Sequence, residues 1–321
     1  MITIGFYSNQ LGERGTEIGL YDYADFNEKL LNNKSIIITN KIVDNDIYIK
    51  FSKRFSIIIF LKEKTINEID KIVFDYKIDL IFFEKSGLIE NIEPTLCKSI
   101  IHCVFNASQP HGTIFTVIGK TINTIYKTNF PVLPYIVNIE SIDTNLRKIY
   151  KIPDNAIVFG RYGANDTFDI KFVKDLINNW KKDNTYFLFM NTDKFTDSKY
   201  CIFIKKNINL KFKRAFINTC DAFLHARLRG ETFGFSIAEF ALCNKPIISF
   251  AYSIEREHIN ILGDKIILYK NYNHLKNILE NFNPNDFINY YGINNPYSIF
   301  TPDNVMSFFN YLIYNAINSN N

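Results

Sequence analysis

The chain has 321 residues, of which 47% are hydrophobic and 22% charged; this balance excludes an unfolded polar chain and suits two α/β domains of roughly 150 residues each. Its 37 basic and 33 acidic residues leave a net charge of +4, which favours a small phosphorylated ligand over nucleic acid, because no basic stripe is present. The five cysteines, Cys97, Cys103, Cys201, Cys220 and Cys243, form no CxxC pair and mostly lie in apolar runs, so they read as reduced core residues of a cytosolic protein.

From the amino terminus, short apolar runs alternate with amphipathic stretches. Strands are expected at Ile2–Tyr7, Ser35–Thr39, Ser56–Leu61, Ile78–Phe83 and Ser99–Phe105, with helices at Glu17–Leu31 and Ile66–Tyr76. Runs of five or six residues rich in Ile, Val and Phe have the composition of buried parallel strands. The first run carries no basic-then-apolar leader pattern, and no run approaches the ~18 apolar residues that span a bilayer, so a soluble, cytoplasmic protein without a transmembrane segment is expected. A Pro-bearing connection, Phe130–Val137, and a helix over Thr144–Tyr150 mark the domain join. The pattern then restarts. Strands are expected at Ala156–Phe159, Tyr186–Met190, Ala222–His225, Pro246–Phe250 and Lys265–Leu268, and helices at Ile170–Lys181, Leu210–Asn218, Phe235–Cys243 and His274–Asn281. This order predicts two doubly wound α/β domains, 1–140 and 141–300, followed by a terminal segment, 301–321. Its helix, Asp303–Ile317, is capped by Thr301 or Asp303 and is placed against the first domain; the tail NSNN reads as disordered.

The densest polar cluster of the second half runs from Asp221 through His225, Arg227, Arg229, Gly230, Glu231, Thr232, Phe233, Gly234 and Phe235 to Glu239. A strand enters it, a glycine-bearing loop follows, and a helix begins near Phe235. Such a strand-turn-helix presents backbone amides and a helix N-terminus to an anion. Two carboxylates eight residues apart can each accept protons from a vicinal diol.

These residues and spacings resemble the E-x7-E signature of retaining GT-B glycosyltransferases, in particular the GT4-like group. The likeness continues through Glu239-Phe-Ala-Leu-Cys-Asn244-Lys-Pro246, with Asn244 where Gly is usual; Asn tolerates the left-handed conformation that such a position requires. Near the amino terminus, Gly12-Glu-Arg-Gly15-Thr16-Glu17 followed by LYDYA resembles a glycosyltransferase group of bacteria and large DNA viruses. The likeness covers Ile2 to about Phe250.

The resemblance implies a GT-B architecture, two Rossmann-like domains facing across a cleft, and transfer of a sugar from a nucleoside-diphosphate sugar, UDP or GDP, to a hydroxyl of a glycan or small molecule. It implies that Glu239 holds the donor ribose, that Glu231 contacts the transferred sugar, and that the amides after Gly230, including those of Phe233, Gly234 and Phe235, take the diphosphate with Arg227 and Arg229. His225 lies beside the donor, and Gly12, Gly15 and Thr16 approach its phosphate. His102, with His111 second on the acceptor side, would support the reacting sugar hydroxyl. Arg161, in Gly160-Arg-Tyr-Gly163, would neutralise the diphosphate, while the Lys usual a few residues on is absent, leaving Lys171 or Lys211 to replace it. His258 and His274 lack clustered partners and are expected at the surface. Asp44-Asn45-Asp46 has the form of a metal-binding DxD but reads as a solvated turn, so neither metal nor cofactor is expected. The competing reading is an inactive sugar-nucleotide or glycan-binding protein on the same fold.

Overall fold

In the computed structural model, which describes residues 1–319, the chain divides into two compact units, residues 1–136 with 300–321 and residues 137–299. The first unit runs β1 (Thr3–Ser8), α1 (Gly15–Lys29), β2 (Lys34–Thr39), α2 (Asn45–Arg54), β3 (Ile58–Phe60), α3 (Ile66–Tyr76), β4 (Leu80–Lys85), β5 (Lys98–Cys103), β6 (Ile114–Val117) and α4 (Lys120–Tyr126). Its six strands are ordered β3-β2-β1-β4-β5-β6 and pair in parallel throughout. Ile4, Phe6, Ile36, Ile37, Ile38 and Phe82 are fully buried, as expected of strands covered on both faces.

The second unit runs β7 (Ile157–Tyr162), α5 (Lys171–Asn178), β8 (Thr185–Met190), β9 (Cys201–Ile204), α6 (Leu210–Thr219), β10 (Ala222–Leu224), β11 (Gly230–Glu231), α7 (Phe235–Leu242), β12 (Ile247–Phe250), β13 (Glu255–Arg256), α8 (Glu257–Leu262), β14 (Ile266–Tyr269) and α9 (Tyr272–Glu280). Its main sheet, β14-β12-β10-β7-β8-β9, is again parallel and six-stranded. Phe159, Phe187, Phe189, Trp180 and Tyr269 fill one face of it. In both units the strand order reverses beside the first strand, between β1 and β4 and between β7 and β10. Ligands of such sheets bind beyond the strand ends at that switch point.

The last helix, α10 (Pro302–Asn318), begins at Thr301, whose hydroxyl accepts from the Asn304 amide. It belongs to the first unit, where the Phe309 ring lies 5.1 Å from those of Tyr23 and Phe82. Of the tail expected to be disordered, Asn318 ends this helix, while Asn320 and Asn321 lie outside the described residues.

Two expectations are corrected. The helix over Thr144–Tyr150 is absent: the segment is a run of turns because the Arg147 guanidinium gathers the carbonyls of Pro153, Asp154 and Ala156 at 2.8–3.1 Å and the Asp221 carboxylate at 3.0 Å. Asp44-Asn45-Asp46 is no free turn but the start of α2, where the Asp44 carboxylate accepts from the amides of Asp46 and Ile47 at 3.0 and 3.2 Å, an N-cap.

Candidate active site

The polar cluster of the second unit stands at its switch point. Strand β10 ends at Leu224, and the His225 amide, donating to the Ile248 carbonyl at 2.8 Å, delivers the imidazole to the strand's carboxyl end. From there the chain loops through Arg227 to Gly230, which sits at φ +83° with the Glu255 carbonyl 1.9 Å from where a Cβ would stand. Only glycine permits that approach, and through it β11 pairs with β13. The bend returns Glu231 toward His225. Its carboxylate accepts from Arg227 Nη1 at 2.9 Å and His225 Nε2 at 3.3 Å. Burial alone would raise its pKa, but the His225 hydrogen bond and the Arg227 charge hold it at about 2, so Glu231 is an acceptor at any working pH.

Gly234, at φ +90°, turns the chain into α7, which starts without a side-chain cap. Thr232 and Phe233 are buried, and the Phe233 ring packs 5.6 Å from Phe235 and 6.0 Å from Tyr297. Glu239, on the first turns of α7, is 5% exposed. Its Oε1 lies 2.7 Å from Lys213 Nζ on α6, and its Oε2 accepts from the Tyr162 hydroxyl at the end of β7. Asn244 takes the left-handed conformation at φ +59°, and its side-chain oxygen accepts from the Tyr291 amide at 3.0 Å.

Other expected residues are placed differently. Arg229 pairs with buried Glu255 at 2.7 Å, so both arginines of the loop meet carboxylates. Arg161 is 4% exposed, and its fork donates to the carbonyls of Asn191 and Ala164 at 3.2 and 2.8 Å and to the hydroxyls of Thr192 and Thr167. Burial lowers its pKa to about 10. It binds two loops together. Of the two expected substitutes for the absent Lys, Lys171 pairs with Asp175 on an exposed helix face, and Lys211 lines a hollow with Asn207, Asn209 and Phe212. The cation that reaches Glu239 is Lys213, two residues from Lys211.

His258 is corrected from surface to core. It is fully buried, its Nε2 lies 2.9 Å from Ser249 Oγ, and that hydroxyl lies 2.8 Å from His225 Nδ1. No local pattern marks His258, because its partners come from β10 and β12.

In the first unit, His102 lies inside the core. It is fully buried in β5, stacked on Phe82 and flanked by Tyr23 and Tyr135; desolvation lowers its pKa to about 3. It is a neutral core residue whose Nδ1 lies 3.2 Å from Thr116 Oγ1. Its neighbour on the sheet, Glu84, is 1% exposed and accepts from the Tyr135 hydroxyl at 2.6 Å. Gly12 and Gly15 precede and open α1, neither with positive φ, and the Thr16 hydroxyl donates to buried Glu17 at 2.7 Å. That turn ends on a carboxyl group instead of an open anion cradle. His111 is half-buried, with Nδ1 2.6 Å from the Gln109 carbonyl.

No family model and no curated protein matches the chain. Solved structures do match. HepE of Anabaena, in complex with UDP and glucose, superimposes with a TM-score of 0.76 at 12% identity, over 98% of this chain and 100% of that one. A glycosyltransferase of Rickettsia africae gives 0.76 at 13%, over 100% and 99%. The fold is GT-B. Sucrose-phosphate synthase of Thermosynechococcus elongatus matches this GT-B chain with a TM-score of 0.67 at 12% identity, over 98% of each. Among the described residues, no helix of the GT-B chain is long and apolar enough to cross a membrane.

Proposed function

We propose that the chain is a glycosyltransferase that binds a nucleoside-diphosphate sugar in its second unit and transfers the sugar to an acceptor hydroxyl of a glycan or small molecule. The observation that carries this reading is the presence of two carboxylates, half-buried Glu231 and buried Glu239, at the switch point of a parallel sheet, one held by His225 and Arg227 and the other by Lys213 and Tyr162. The likeness to HepE, whose structures hold UDP and UDP-glucose, supports a UDP-sugar as donor.

In this reading Glu231, ionised throughout the working range, accepts hydrogen bonds from sugar hydroxyls, and Glu239 accepts from the ribose. The uncapped N-terminus of α7 draws the diphosphate. The bond between the sugar's anomeric carbon and the phosphate oxygen breaks as the acceptor oxygen bonds to that carbon, and the acceptor proton passes to the leaving phosphate. The charge gathering on the diphosphate is met by the α7 helix end and its amides; the likeness of the E-x7-E segment to retaining GT-B enzymes supports a transfer without a divalent ion, with retained configuration and no side-chain nucleophile.

The test is thermal shift and donor hydrolysis with UDP-, GDP-, ADP- and CMP-sugars in EDTA, comparing the native chain with Glu239→Ala. One donor should stabilise the native chain, through binding to the folded state alone, and be turned over, with both effects lost in the variant. Binding without turnover of any acceptor would instead make it a sugar-nucleotide-binding protein. No response to any donor would overturn the assignment.

A further inference from the structure

A chain of hydrogen bonds runs beneath the loop that carries Glu231. His258 Nε2, on α8, lies 2.9 Å from Ser249 Oγ; that hydroxyl, on β12, lies 2.8 Å from His225 Nδ1; and His225 Nε2 lies 3.3 Å from Glu231 Oε1. His258 and Ser249 are fully buried, and His258 Nδ1 has no hydrogen-bond partner. The two imidazoles lie edge to face with centroids 4.9 Å apart.

Donor and acceptor chemistry gives this chain a direction. An ionised carboxylate only accepts, so His225 Nε2 carries the proton of that bond. A neutral His225 then offers a bare Nδ1, which takes the Ser249 hydroxyl proton. Ser249, having donated, accepts from His258 Nε2–H, and His258 Nδ1 is left as a lone pair. With a neutral His225, the reversed chain would leave a bare Nε2 against the Glu231 carboxylate, lone pair against lone pair, at the 3.3 Å contact.

We propose that His258 is a positioning residue: through Ser249 it locks the His225 ring with Nε2–H toward Glu231 and thereby fixes the carboxylate that faces the transferred sugar. This rests on the donor-site reading for its functional consequence, but the hydrogen-bond direction is testable without any ligand.

The chain has five histidines, so long-range ¹H–¹⁵N spectra resolve their rings, with His225→Gln identifying the signal of interest. His225 should show the Nε2–H tautomer in the native chain and in His258→Gln, whose side-chain amide can still donate to Ser249. It should become mixed in His258→Leu and in Ser249→Ala. A native Nδ1–H tautomer, or an unchanged spectrum in folded Ser249→Ala, overturns the proposal; if His258→Leu fails to fold, the other two variants decide it. The second readout is the ratio of Kd for UDP to Kd for UDP-glucose. It should fall about tenfold in His258→Leu, the scale of one lost hydrogen bond, and recover in His258→Gln while UDP affinity stays unchanged. An equal loss for both ligands would mark a merely structural role. If neither ligand binds the native chain, the donor-site reading fails, and the spectra alone judge the lock.

Discussion

Lys213 and Glu239 meet at 2.7 Å with 14% and 7% of their side chains exposed. An ion pair this enclosed has already lost most of its hydration, so removing one partner strands the other charge. Lys213→Met should therefore cost about 3 kcal/mol in urea unfolding followed by the fluorescence of Trp180, the only tryptophan, which is buried in the core of the second unit. Adding Glu239→Leu to that variant should restore much of the loss, because two apolar side chains replace a pair that barely repays its own desolvation. A cost no greater than that of a surface pair, below about 1 kcal/mol, would show the carboxylate to be solvated. The two glutamates were legible in the sequence because their spacing is local. Lys213 and His258 were not: each acquires its meaning from a partner on a different element, and Lys or His by itself says nothing about which one.

At the scale of elements, α1 and α2 reverse two habitual readings. Gly19 lies inside α1, where alanine ordinarily stabilises a helix by about 1 kcal/mol. Here a Cβ would stand 2.3 Å from the Tyr135 ring, so Gly19→Ala should instead lower the melting temperature, whereas a rise would mean that Tyr135 swings aside without cost. On α2, Asp44→Ala removes the carboxylate from two amides and should cost about 1 kcal/mol of stability. Manganese should leave the thermal midpoint of the native chain where it is, since that carboxylate is occupied; a metal-dependent shift abolished by Asp44→Ala would restore the metal-site reading. The buried strands were readable because their Ile, Val and Phe runs have one meaning in a parallel sheet. The four-residue strands β6 and β9 and the helix α2 escaped, the first two for brevity and the last because an Asp-Asn-Asp cap looks like a turn. Thr144–Tyr150 failed for the opposite reason: its helical spacing is outweighed by Arg147, whose guanidinium bonds carbonyls six to nine residues on that only the fold brings to it.

For the molecule as a whole, pH acts on the first unit through opposed groups in one core. Burial, and secondarily the nearby Glu17, push the Glu84 carboxyl well above its usual range, while burial holds His102 at about 3. The folded state thus keeps a proton on Glu84 that the unfolded chain sheds above about pH 4.5. That contribution is complete below pH 4.5 and is lost as pH rises toward the folded value. His102 works in the other direction: the unfolded chain takes up a proton below about pH 6.5 that the folded one refuses, so its contribution is complete above pH 6.5 and lost as pH falls toward 3. Between these limits the two slopes offset each other, and stability should decline on either side of that window. Glu84→Gln keeps the acceptor for the Tyr135 hydroxyl and removes the ionisation. Measured by urea unfolding with far-ultraviolet circular dichroism, native and variant chains should agree near pH 4, and the variant should gain up to about 1.4 kcal/mol per pH unit above 4.5. If the two curves stay parallel from pH 5 to 8, Glu84 is ionised within the folded core, and a neutralising partner must be sought for it beside Tyr135.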